Sequence, residues 1–138
     1  MYEPIRTKSV HSTTADTDFP HRSREEELDI QLAGHLAALL AVTDELRALT
    51  PCADLDAASE RLAAQVTRLR GGRPPARAAA TTAASAARSV ALHRRAHALA
   101  GRALVVAASR ADTAAAILAA ERMDAHAAAL EPRELASR

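Results

Sequence analysis

The chain has 138 residues with 18 basic and 17 acidic side chains, so its formal net charge is only +1 and its length fits one domain. Alanine supplies 37 residues against 16 Leu, 6 Val, 3 Ile, one Phe, one Tyr and no Trp. At roughly 25 cal/mol per Å² of buried apolar surface, alanines hold a core together far less well than leucines, so partner helices from a second copy are expected. The scarcity of rings excludes aromatic sugar platforms, base-stacking surfaces and ring-lined cofactor pockets.

Residues 1–22 mix Ser, Thr, His, Pro and Asp without a sustained hydrophobic period and read as a disordered tail. Ser23-Arg24-Glu25-Glu26 is a capping box, in which Ser23 accepts from the amide three residues on and Glu26 reaches back. A helix therefore starts there, with Glu25, Glu26, Glu27 and Asp29 placed where the helix dipole favours negative charge. Leu28, Leu32, Leu36, Leu39, Thr43 and Leu46 fall within about 40° on a helical wheel, and His35 lies in the same stripe as an interface histidine. Pro51 ends this helix near Leu49. Leu55, Ala58, Leu62, Val66 and Leu69 repeat the spacing in a second, shorter helix that Gly71-Gly72 stops. The span 23–70 is thus a helical hairpin.

Residues 71–86 form an Arg/Pro/Ala-rich linker opened by Arg73-Pro74-Pro75. From 87 to 130, Leu92, Leu99, Val106 and Ile117 share one face, widened by Ala96, Ala103, Ala107, Ala114 and Leu118. This predicts one long third helix, with a break at the capping-box spacing Ser109 to Asp112 as the competing reading, and a C-terminal tail over 131–138. The fold class is all-α: a hairpin plus a long helix. At about 60 Å the third helix would outrun a second helix of about 25 Å, which argues for an oligomeric bundle. Its interface would be the stripe Leu92, Leu99, Val106 and Ile117.

The small net charge hides a partition: residues 1–60 sum to −7, residues 61–110 hold ten arginines and no acid, and residues 111–138 sum to −2. Two readings follow. Arg88, Arg95 and Arg102 recur every seven residues beside the apolar stripe, as charges that pair with a neighbouring helix do. Alternatively Arg88, Arg94, Arg95 and Arg102 contact the phosphate backbone of duplex DNA. No helix-turn-helix spacing or zinc frame points to base-specific reading.

His93 and His97 stand four residues apart, a spacing two metal ligands use, but Arg94 and Arg95 oppose a cation and no carboxylate or cysteine completes the set. Both imidazoles instead extend the basic face. With no phosphate loop, nucleophile elbow or paired cysteines, no enzyme, cofactor, metal or small-molecule substrate is expected. Cys52 follows Pro51 in an exposed turn, with no His or Lys beside it to activate the thiol. The single cysteine and the lack of a secretory pattern or membrane-length apolar run lead us to expect a cytoplasmic chain with no membrane span.

Met1-Tyr2-Glu3-Pro4-Ile5-Arg6-Thr7-Lys8-Ser9-Val10-His11 and the stretch Ala91-Leu92-His93-Arg94-Arg95-Ala96-His97-Ala98-Leu99-Ala100-Gly101-Arg102 resemble small Ala-rich proteins of actinobacterial conjugative plasmids, a group that includes plasmid spread proteins. The resemblance implies an accessory role in plasmid transfer or spread, with other transfer proteins as partners, and no catalytic residue. The reading is a non-enzymatic, self-associating helical interaction protein; the alternative is an architectural nucleic-acid-binding protein.

Overall fold

The computed structural model describes residues 22–77 and 85–136, and among these described residues the chain forms four α-helices. The expected tail over 1–22 lies outside the described residues except for Arg22, as does the middle of the linker. Helix α1 spans Arg24–Leu49 and opens on the expected capping box, Glu26 N donating to Ser23 Oγ at 3.1 Å and Ser23 N to Glu26 Oε1 at 2.9 Å. Helix α2 spans Ala53–Leu69, α3 Ala86–Arg110 and α4 Thr113–Ala136.

The single helix expected over 87–130 is thus two helices, and the expected C-terminal tail continues α4 to Ala136. The break is built like the end of α2. There Gly71 sits at φ 68 while Gly72 N donates back to Thr67 O at 2.8 Å, closing the last turn. At the end of α3, Ala111 takes the same left-handed position at φ 57, and Asp112 N donates to Ala107 O at 2.9 Å. An alanine occupies the place usually held by glycine, so no breaker marks the turn in the sequence. Asp112 then caps α4 by accepting from Ala115 N at 3.2 Å. Ser109, the other candidate cap, bonds back to Val105 O within α3.

Because α3 turns back on itself, its stripe closes within the chain. Helix α3 packs extensively on α4 and on α1, α2 lies against α1, and α2 meets α4 more lightly. Ion pairs give the directions: Arg88–Glu45 and Arg110–Asp29 set α3 antiparallel to α1, while Arg68–Asp112 and Arg122–Asp54 set α2 antiparallel to α4. Every neighbouring pair in this four-helix bundle is therefore antiparallel, and α2 and α3 run the same way on opposite corners. Such an order needs one long crossover. Residues 70–77 begin it, running from the Arg68–Asp112 end to an Arg77–Asp44 bridge.

The core is asymmetric. Helix α1 contributes Leu32, Leu36, Leu39, Leu40, Val42 and Leu46, whereas α3 and α4 present mostly alanine: Ala96, Ala100, Ala103, Ala107, Ala115 and Ala119. Small side chains let the α3 and α4 backbones approach closely, and the leucines of α1 fill the space between. Thr43, buried within this leucine stripe, satisfies its hydroxyl on Leu39 O at 2.8 Å.

Candidate functional site

Five of the ten arginines between 61 and 110 are used inside the bundle. Arg61 bridges to Glu121, Arg68 to Asp112, Arg77 to Asp44, Arg88 to Glu45 and Arg110 to Asp29, each joining separate elements. Half of the charge of the acid-free segment is thereby matched by acids of α1 and α4. Arg88 belongs to this set: it is half-buried, its NH2 lies 3.4 Å from Glu45, and its Nε is buried without a hydrogen-bond partner, so it does not stand on an open basic face. Asp44 shows how firm the pairing is. Burial raises its pKa, yet hydrogen bonds and charge from Arg77 and Arg47 outweigh that and hold it below the ordinary carboxylate value.

Arg94, Arg95 and Arg102 are different. All three are exposed on the outer face of α3, a helix with no acidic residue, and among the described residues they make no salt bridge. Val105, 67% exposed, shares that face.

The expected oligomer stripe does not lie on the surface. Leu92, Leu99 and Val106 are buried in the intrachain core, because the turn at Ala111 folds α4 over them; Ile117 points elsewhere and is 54% exposed on α4. The length argument for a dimer lapses with the long helix, since α3 and α4, at 25 and 24 residues, match the 26 of α1.

His93 and His97 do not extend the basic face together. His97 is half-buried beside a shallow cleft with Ala127, Leu130 and Glu131, while His93 turns inward to α4. There its Nδ1 lies 3.0 Å from Nδ1 of His126, with ring centroids 5.2 Å apart. His126 is buried, and its Nε2 lies 3.4 Å from a terminal nitrogen of Arg122, one turn earlier on α4. Arg122 in turn reaches Asp54 Oδ2 on α2 at 3.1 Å. A polar chain Asp54–Arg122–His126–His93 thus crosses from α2 through α4 to α3.

The chain fixes its own protons. A guanidinium only donates, so His126 Nε2 accepts from Arg122; the His126 proton then sits on Nδ1 and is donated to His93 Nδ1. His126 is accordingly neutral, and burial, then the charge of Arg122, pushes its pKa down to about 3. Beside this chain lies a cavity of about 270 Å³, bounded by the C-terminal end of α1, the start of α2, and the facing sides of α3 and α4. It exists because α2, at 17 residues, is too short to cover α4 over its full length. Cys52 is exposed on its rim and serves as N-cap of α2 without a side-chain cap hydrogen bond. Among the described residues, no three His, Cys, Asp or Glu side chains converge as metal ligands would.

Arg122, His126 and Asp54 escaped the sequence reading. The signal was the apolar period of α4 itself: Ala115, Leu118 and Ala119 lead at helical spacing to Arg122 and His126, which stand where the next core residues belong. No helix among the described residues is long and apolar enough to cross a membrane. Searches of family models, curated proteins and solved structures find no match to the chain.

Proposed function

We propose that this chain is a non-enzymatic helical interaction protein that presents the outer face of α3 to an anionic partner surface. The observation that carries the reading is the contrast among the arginines. Five are consumed in bridges between elements, whereas Arg94, Arg95 and Arg102 remain exposed and unpaired among the described residues, on a helix without acids. These three also fall within the stretch that resembles small Ala-rich proteins of actinobacterial conjugative plasmids, which supports an accessory role in plasmid transfer or spread with another transfer protein as partner.

The same arginines favour a second reading, contact with the phosphate backbone of duplex DNA, but magnitude ranks it lower. Neutralising three phosphates gives a log–log salt slope of about −2.7, and backbone-directed binders with sizeable affinity make roughly twice to three times as many contacts.

Titrating the protein against a fluorescent Glu-rich helical peptide and a labelled duplex, at low and moderate salt, separates the readings. The favoured one expects the peptide to bind, the duplex to bind more weakly, and the triple variant Arg94→Gln, Arg95→Gln, Arg102→Gln to lose the peptide while keeping its helicity. Tighter duplex binding with a slope near −2.7 selects the second reading, and a triple variant that binds like the native chain overturns both.

A further inference from the structure

The cavity at the open corner of the bundle is not used by the outer face of α3, and its walls are chemically uneven. On one side lies Arg122, whose side chain is 4% exposed and whose Nε is buried with no hydrogen-bond partner. Its counter-ion, Asp54, is held through one oxygen at 3.1 Å and is 65% exposed, so the acid sits largely in water while the cation it balances sits inside. A guanidinium so placed retains much of its desolvation penalty. Leu46, Leu55 and Ala129 add apolar surface to the lining.

We propose that this cavity binds a small organic anion, a carboxylate carried on a short hydrocarbon body, and that Arg122 recognises its head. The carboxylate takes the place of the Asp54 side chain on the guanidinium, and Asp54 swings fully into solvent. Three features favour this class. Arg122 offers a planar donor fork that suits a carboxylate, and Asp54 engages it through a single nitrogen and a single oxygen. The N-terminus of α2 opens at the cavity rim, where Cys52 leaves the first-turn amides without a side-chain cap. The volume, about 270 Å³, is room for roughly nine waters, more than an inorganic ion fills, and its apolar lining suits a chain of a few carbons. The molecule would be a bound ligand rather than a substrate, since nothing in the cavity is arranged to transform it.

The test is calorimetric titration of the full chain with butyrate, with butanol and inorganic phosphate as comparisons, and with ring nitrogen resonances of His126 followed in parallel. Saturable butyrate binding that shifts the His126 ring, with butanol and phosphate binding much more weakly, is expected. Arg122→Gln should abolish it. Because that variant removes a buried charge and could fail to fold, Asp54→Asn provides the decisive arm: removing the resident carboxylate from an exposed position should tighten butyrate binding, by roughly threefold to tenfold. Butanol binding as well as butyrate, phosphate binding as well as butyrate, or unchanged or weaker butyrate binding in Asp54→Asn would each overturn the proposal.

Discussion

Acidification tests the proton placement in the buried chain directly. His126 has a pKa of about 3 in the folded protein against 6.5 when unfolded, so between those values the unfolded chain binds a proton that the folded chain refuses. The sign follows: this contribution to stability is intact above pH 6.5, falls as the pH drops below it, and levels off near pH 3. At pH 5 the loss is about 2 kcal/mol, a substantial part of the roughly 5–15 kcal/mol that holds a domain together. Burial is the largest cause of the direction; among the described residues Arg122 on its own helix and the charged forms of His93 and His97 on α3 also oppose a proton, and Asp54 on α2 favours it. From α1 the cavity receives only the uncharged Leu46 and Thr50.

Urea denaturation read by circular dichroism at pH 7.5 and pH 5 measures the effect. With a slope near 1.5 kcal/mol/M for a chain of this size, the midpoint should fall by about 1.3 M. His126→Gln, whose amide oxygen still accepts from Arg122 but does not titrate, should show a midpoint much less sensitive over the same interval. Paired carboxylates do not blur the comparison. Asp44 and Asp112 are held below 3.8 by their arginine partners against the opposing effect of burial, so their stabilisation is lost only at more acid pH. Equal midpoint shifts in the native chain and the variant would refute the neutral, singly protonated His126.

Ala111→Gly should raise stability by about 1 kcal/mol in thermal melts, because the left-handed conformation at φ 57 is costly for alanine and open to glycine; a lowered melting temperature would contradict the turn geometry. Asp112→Ala removes both the α4 cap and the bridge to Arg68 and should cost about 1–2 kcal/mol, whereas Asp112→Asn keeps a capping oxygen and should cost clearly less. Leu36→Ala, at a fully buried position on the leucine-bearing helix, should cost about 3 kcal/mol by urea denaturation, and a loss under 1 kcal/mol would place Leu36 outside the core.

The start of α1, the hairpin and the end of α2 are legible because each has a local chemical mark: Ser23 with Glu26, Pro51, and the glycine pair at 71–72. The turn between α3 and α4 carries only the weaker mark of the Ser109 to Asp112 spacing. Its left-handed residue is alanine, and its cap, Asp112, stands three residues beyond the serine that sequence spacing suggests. Ranking the break at Ser109–Asp112 second to a continuous helix carried the later expectations with it: a helix too long for its neighbours, and hence a stripe open to a second copy. The ion pairs were only partly legible. Charge arithmetic shows that basic and acidic segments could meet, but which arginines pair depends on helix directions that composition does not contain. Arg122 and His126 were readable as polar residues at core spacing, yet what they do depends on Asp54 and His93, which lie 68 and 33 residues away in sequence.

That buried polar chain bears on how an alanine-rich bundle settles on one arrangement. Alanine positions on α3 and α4 are nearly interchangeable, so sliding one helix along the other by a turn, about 5.4 Å, would still oppose methyl to methyl. The slide would not preserve the polar contacts. Arg122 would leave Asp54 on α2 while His126 left His93 on α3, stranding a buried guanidinium and a buried imidazole together. The network closes only when α4 stands correctly against two neighbours at once, which is the register information that small apolar side chains lack. Apolar residues of similar volume at these positions could pack as stably, but they would remove both that constraint and the guanidinium facing the cavity. The residues that align the helices are therefore also those that leave the open corner with its charge.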